Sequence, residues 1–375
     1  MDGMRVLLAL LVLAPRLDPF NAAMEASLKE RGAPGGALAV AKDGRLVHAK
    51  GYGAEIGPSS LFRIASLSKP ITAVAVLSLA QKGKLDLDAK AFAILGLKPA
   101  DPRAADITVR HLLQHTAGWD REKSGDPMFK PIEIAQAQGV RPPADANAVL
   151  RWMAEKPLDF DPGTRHAYSN FGYCVLGRIL EKVSGESYEA CVKRSVLEPM
   201  GISRMRLGKT RLEDRAKDEV AYRQPGSKAE RSVFGGEGAV DWPYGGFHLE
   251  AMDAHGGWLA SAVDLARFAS SLDKVLDVKH QEAMFARPAG LKAGPAYYGC
   301  GWMVRPVGKD GKANTWHTGS LPGTSTLLVR RHDGLVWAAL FNQRSAKDSE
   351  LDPALHRAAD AVAEWPKEDL FGRYP

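Results

Sequence analysis

Phe62-Arg63-Ile64-Ala65-Ser66-Leu67-Ser68-Lys69-Pro70-Ile71-Thr72-Ala73-Val74-Ala75-Val76-Leu77 reads as the opening of a buried helix. Apolar residues fill every face from Ile71 to Leu79, and Gly83 supplies a stop. Proline has no N–H to give an interior turn, so Pro70 requires the helix to begin near Ser66. Ser66 then stands at a helix N-terminus, where backbone N–H groups lack intrahelical partners and the dipole favours negative charge. Lys69, three residues on, rises on the same face as the Ser66 hydroxyl. A serine with an amine above it and N–H donors beneath it is the arrangement an acylation site requires. The spacing alone is common: Ser271-Leu272-Asp273-Lys274 repeats it, and a capped helix with a surface lysine gives the same letters.

Upstream, Leu17 to Glu30 carries an amphipathic helical pattern that Gly32-Ala33-Pro34-Gly35-Gly36 stops. Residues 37–41 and 45–49 flank Lys42-Asp43-Gly44 and read as a hairpin. Downstream, residues 85–250 are helical segments broken by Pro/Gly loops. Thr108 caps a helix over Val109–His115, residues 120–147 read as a surface excursion, and a helix over Phe171–Ser184 stops at Gly185. Residues 223–257 read as a long loop. Strand character returns over Gly301–Arg305, Ala313–His317, Thr324–Val329 and Leu335–Phe341, and a last helix is expected over Asp352–Trp365. The fold class is therefore α+β: an antiparallel sheet built from both termini and flanked by helices, with an inserted, mostly helical subdomain. The expected boundaries are residues 18–84 with 251–375 for the sheet-bearing part and 85–250 for the insert, a division that a length of 375 residues favours.

A net charge of +6 is modest for this length, and there is no dense Lys/Arg run or basic-aromatic stripe, so no nucleic-acid partner is expected. Residues 1–17 read as a signal peptide or N-terminal tail. Arg5 precedes the apolar run Val6–Ala14, too short for a stable membrane span and suited to a secretory h-region, although Pro15 opposes cleavage after Ala14. Export to the periplasm or medium is the expectation, a cytoplasmic protein with an apolar tail the alternative. The three cysteines, Cys174, Cys191 and Cys300, show no metal or redox spacing and read as small buried side chains, with one disulfide left open.

Two further motifs follow Ser66 in order. Tyr168-Ser169-Asn170 is the only Tyr-x-Asn, and His317-Thr318-Gly319-Ser320, closing a predicted strand, is the only His-Thr-Gly. Ser-x-x-Lys, then Tyr-x-Asn, then Lys/His-Thr-Gly is the order of serine β-lactamases and penicillin-binding proteins. The flanks Leu112–Gly118, Tyr173-x-x-Leu176-Gly177, Gly256–Ser261 and Tyr298-Gly299-x-Gly301-Trp302 also resemble this superfamily. The chain looks like its class C-like branch of soluble DD-carboxypeptidases, D-aminopeptidases and β-lactamase-like esterases, over roughly residues 20–365.

The resemblance implies a serine hydrolase without metal or cofactor. Ser66 is the nucleophile, Lys69 its base once burial and neighbouring charge lower the amine's pKa, and Tyr168 the residue that protonates the leaving group and later activates water. Asn170 would orient Lys69 and substrate, and the backbone N–H groups of Ser66 and Ser320 would form the oxyanion hole. His317, with Thr318, Gly319 and Ser320, borders the substrate; where most β-lactamases carry a lysine it offers a mostly neutral imidazole. Arg305 is one candidate for the missing charge, an exposed strand-end arginine its plain alternative. Trp119, Trp242, Tyr244, Phe247, Trp258 and Trp316 are either pocket walls or core. His111 and His115 lack the glutamate of a zinc-protease helix and read as structural. The expected substrate is a small carboxylic ester, with a D-residue peptide second, β-lactams third, and a penicillin-sensing or scaffold protein as the non-enzymatic rival. Oligomeric state is left open.

Overall fold

The computed structural model describes residues 17–226, 230–236, 238–292, 294–308, 310–345 and 350–375. The expected leader, apart from Leu17, lies outside the described residues. Among them no helix is long and apolar enough to cross a membrane.

The Asp43-Gly44 turn organises the start of the sheet. Both residues take left-handed backbone angles, φ 49° and 77°, which a two-residue hairpin turn demands. The turn joins β1 (Gly36–Lys42) to β2 (Arg45–Tyr52). The other five strands come from the last third of the chain: β3 (Tyr297–Tyr298), β4 (Met303–Val307), β5 (Lys312–Leu321), β6 (Thr324–Arg330) and β7 (Leu335–Phe341). The order is β2-β1-β7-β6-β5-β4-β3. Antiparallel pairing of β1 with β7, Ala39 opposite Ala338, joins the two ends of the chain in one sheet, as expected.

Both faces of the central strands are covered, which is why those strands are apolar throughout rather than alternating. On one face lie α1 (Asp18–Arg31) and, near the C-terminus, a helix over Leu351–Asp360. Phe20, Met24 and Leu355 share a core there with Leu38, Val40 and Trp337. On the other face lies α4 (Ala262–Ser270), and beyond it the same core continues through α2 (Ser68–Gln81) to α3 (Asn170–Ser184), which packs on α2; Ile71, Val74 and Leu265 belong to this core with Ala37, Ala39 and Ala41. The C-terminal helix, α5, ends at Asp360 rather than Trp365; Trp365 instead leans on Phe20, ring centroids 6.1 Å apart. The loop expected over 223–257 holds a two-residue strand pair, Glu230–Arg231 with Ala239–Val240, and short helical turns over Glu250–Gly256.

A small second sheet fixes the approach to Ser66. Phe62–Arg63 and Arg206–Leu207 flank Trp258–Ala260. Arg63 is wholly buried. Its Nε meets Glu219 at 3.2 Å, its Nη2 donates to the Lys209 carbonyl oxygen at 2.8 Å, and the Tyr222 ring lies 4.8 Å from the guanidinium. A buried charge is costly unless paired and hydrogen-bonded, and these contacts meet that need.

Candidate active site

Ser66 sits in a single 3-10 turn, Ala65–Leu67, and α2 begins at Ser68, two residues later than the sequence suggests. Pro70 is thus in the first turn, where no intrahelical N–H is needed. Ala65 takes a left-handed φ of 50°, bending the chain into the turn. Lys69 is 0% exposed. Its Nζ lies 3.0 Å from Ser66 Oγ, 2.8 Å from Asn170 Oδ1 and 2.9 Å from the His255 carbonyl oxygen. The last two atoms only accept. A neutral amine satisfies them with its two N–H groups and turns its lone pair to the Ser66 hydroxyl. Burial pushes the Lys69 amine well below its usual range; Asp126 opposes the shift and Arg121 adds to it.

Ser169 caps α3, its Oγ accepting from Gly172 N at 3.2 Å, so Tyr168 and Asn170 are held on either side of a fixed helix start. The Asn170 amide is oriented by a residue the sequence did not single out: its Nδ2 donates to Asp126 Oδ2 at 2.6 Å. Since a carboxylate only accepts, Oδ1 must face Lys69. The Tyr168 hydroxyl hydrogen-bonds Ser66, and loss of water contact pushes its pKa above the ordinary phenol range. Its ring lies 4.4 Å from that of His115, with Lys69 Nζ 4.8 Å and the Arg121 guanidinium 4.9 Å from its centroid.

The strand expected over Ala313–His317 is longer. β5 carries Thr318-Gly319-Ser320 and ends at Leu321, because the two-residue turn Pro322-Gly323 keeps it paired with β6, Leu321 opposite Thr324. In such a hairpin the pair flanking the turn exchanges hydrogen bonds and the next does not. Ser320 N–H is thereby turned away from β6, toward the edge that β4 leaves uncovered beyond Trp316. A Cβ at Gly319 would collide with the Ile64 carbonyl oxygen and Thr326 Oγ1, so only glycine lets this strand approach the Ser66 turn. His317 is buried; its Nδ1 donates to the Thr318 carbonyl at 2.7 Å, leaving Nε2 to accept from Tyr298 Oη at 2.9 Å. Burial, with Lys69 adding, pushes His317 down to about 3 against the Thr318 bond, so the imidazole is neutral.

Ser66 and Ser320 border two clefts at once. One, of about 370 Å³, is walled by Tyr168, Tyr298, Met303, Trp316 and His317. The other, of about 150 Å³, is walled by Asn170, Phe129, Leu321 and Arg344. Arg121 borders both. All eight residues singled out by motif thus meet around Ser66. The cations at the clefts are Arg121 and Arg344; Arg305 is exposed and stacks on Trp316 at 4.9 Å. Of the six aromatics, Trp316 walls a cleft. Trp119 packs on Phe171, Trp258 donates to Tyr188 Oη at 2.9 Å, Tyr244 Oη accepts from Tyr222 N, Phe247 lies beside Arg63, and Trp242 edges the main core.

The segment 120–147 is more than a surface excursion, since it carries Arg121 and Asp126 into the site and buries Met128 and Ile134. Asp126-Pro127 is legible as a turn cap, and Asp126 Oδ1 does accept from Met128 N at 3.0 Å, but nothing local reveals the second oxygen's partner. His111 is structural, its Nδ1 accepting from Thr108 N at 3.3 Å. His115 accepts from Ser169 N at 3.3 Å and backs the Tyr168 ring. The three cysteines are buried and unpaired. Among the described residues no three His, Cys, Asp or Glu side chains converge as a metal site requires.

The family model described as Beta-lactamase matches residues 20–361. The chain is 30% identical over 306 residues to the probable fimbrial assembly protein FimD, serogroup H1, of Dichelobacter nodosus, spanning 77% of this chain and 68% of that one. It is 35% identical over 205 residues to the esterase EstB of Burkholderia gladioli, spanning 51% of this chain and 50% of EstB. The octameric penicillin-binding protein homologue from Pyrococcus abyssi matches it in fold with a TM-score of 0.70 and 26% identity, over 94% of this chain and 79% of that one. With these relatives and a family model spanning most of its length, the chain belongs to the Beta-lactamase family and is a serine hydrolase.

Proposed function

We propose that this serine hydrolase cleaves short carboxylic esters through an acyl-enzyme on Ser66. The environment of the Lys69 amine carries the reading: two carbonyl oxygens take its N–H groups and the remaining position faces the Ser66 hydroxyl. Ser66 Oγ bonds to the acyl carbon as its proton passes to Lys69 Nζ. The oxyanion is met by the backbone N–H groups of Ser66 and Ser320, each such donor being worth roughly 10²–10³ in rate. Tyr168, a phenol at neutral pH, gives its proton to the departing oxygen, and the proton on Lys69 restores it. Water then enters where the alcohol left, the same pair removes its proton, and Ser66 is released with the acid.

An ester is favoured because the cleft that Tyr168 borders is mainly aromatic and carries a neutral imidazole at position 317, which suits an uncharged alcohol or phenol. A D-residue peptide substrate is the second reading, favoured by Arg121, which reaches that cleft and would meet a terminal carboxylate. The test is p-nitrophenyl butyrate turnover beside fluorophosphonate labelling with the modified peptide mapped. We expect a burst, a steady state, and the adduct on Ser66. Acylation without turnover would leave a sensor or scaffold protein, and faster cleavage of D-Ala-D-Ala peptides than of esters would favour the peptidase.

A further inference from the structure

The two clefts at Ser66 take different halves of a substrate, and Tyr168 distinguishes them. An acid that protonates a leaving oxygen must touch it. Tyr168 walls the 370 Å³ cleft and is absent from the walls of the 150 Å³ one. The leaving group therefore departs into the larger cleft, and the acyl chain, on the opposite side of the carbonyl carbon, runs into the smaller. That smaller cleft is the one with two guanidinium groups, Arg121 and Arg344, beside the Asn170 amide. Arginine offers carboxylates a planar fork of donors that a neutral acyl chain leaves unused.

We propose that the acyl half of the preferred substrate is itself acidic: a short mono-ester of a dicarboxylic acid, with its distal carboxylate on Arg121 and Arg344. The inference rests on the esterase reading above. The acidic groups nearby do not occupy the cleft. Asp126 spends Oδ1 on Met128 N and Oδ2 on Asn170 Nδ2, and Glu122, with 84% of its side chain exposed, approaches Arg121 Nε at 3.3 Å in water, where such a pair binds weakly. Phe129 and Leu321 enclose the chain between ester and acid. A volume of about 150 Å³ limits it to a few carbons.

Three esters with one leaving group test this: p-nitrophenyl butyrate, p-nitrophenyl hydrogen glutarate, and its neutral counterpart methyl p-nitrophenyl glutarate, each corrected for uncatalysed hydrolysis. We expect kcat/KM for the hydrogen glutarate to exceed that for the methyl ester by roughly tenfold or more, the usual scale of a charge-assisted contact, and the excess to shrink with added salt. Arg344→Ala should cut that ratio by about tenfold, and Arg344→Glu should carry it below one. A ratio at or below one in the unaltered protein, or a preference that both Arg344 variants leave unmoved, overturns the proposal. If butyrate is then still cleaved in a Ser66-dependent way, the esterase reading survives alone. If none of the three esters is cleaved and Ser66 takes no label, both fall.

Discussion

Asp126 tests the Lys69 geometry most directly, because two substitutions separate what its shape does from what its charge does. Asp126→Ala removes both contacts of the carboxylate. Loss of the bond to Met128 N costs the turn Pro127–Phe129 its cap, about 1 kcal/mol of stability. Loss of the bond to Asn170 Nδ2 frees the amide to turn over, so that an N–H donor faces the Lys69 amine in place of Oδ1. A hydrogen bond to a charged group contributes about 1.5–3 kcal/mol. If that energy holds the amine in its reactive orientation, kcat/KM for p-nitrophenyl butyrate falls roughly 10–150-fold. Asp126→Asn keeps an acceptor for Asn170 Nδ2, so its plateau should stay within a few-fold of the unaltered protein.

Charge adds a second readout. Asp126 holds the Lys69 pKa up, against burial and Arg121. The reactive amine is neutral, so kcat/KM rises with pH as Lys69 loses its proton. Removing Asp126 favours the neutral amine, and the acid limb of the pH profile must move to lower pH in both variants. A pH series of kcat/KM, with Ser66→Ala as blank and circular dichroism as a check on folding, reads plateau and limb together. An Asp126→Ala protein with an unreduced plateau, or either variant with its limb moved upward, refutes the reasoning.

Tyr168→Phe keeps the ring against His115 but removes the acid; kcat should fall about 10²–10⁴-fold with KM little changed, in steady-state kinetics on the butyrate ester. Gly319→Ala drives a methyl into the Ile64 carbonyl and Thr326 Oγ1, moving Ser320 off the oxyanion; we expect kcat/KM to drop at least ~10²-fold with the far-ultraviolet spectrum preserved. His317 is held at about 3 and His115 and His255 well below the usual imidazole range, all chiefly by burial. The unfolded chain then binds more protons below pH ~6.5, so stability is present above that pH and lost on acidification. His317 alone should make the protein about 2 kcal/mol less stable at pH 5 than at pH 8, a slope that urea melts of His317→Gln should show reduced.

What was legible in the sequence is what is local. The Asp-Gly hairpin is set by two residues that tolerate left-handed angles, and α2 by apolar residues on every face, which only a buried helix can hide. The Ser66–Lys69 pair sits within one turn, and Tyr168 with Asn170 straddles one helix start. What was not legible arrives from a distance or defies local preference. Asp126 meets Asn170 across 44 residues, through a Pro- and Asp-rich segment whose letters describe only its own turns. Arg344 follows β7, and no spacing rule ties it to Ser66. The strand expected over Ala313–His317 continues to Leu321, because pairing with β6 outweighs the poor strand preference of Gly319.

The same geometry explains how a histidine at position 317 is compatible with a lysine base. A lysine serves as base only when neutral, and one way to achieve that is to crowd it with cations. Here the charges around Lys69 oppose one another, Asp126 against Arg121, and burial is the largest cause of the shift. The imidazoles of His317 and His255 are kept neutral by the same exclusion of water, so neither adds a positive charge. Burial is then the main cause that favours the neutral amine, with Asp126 and Arg121 adjusting it in opposite directions, and the strand at 317 is released from supplying a cation. Positive charge at the clefts sits instead on Arg121, which borders both, and on Arg344, which borders the smaller of the two and is the group that the proposal above assigns to substrate choice.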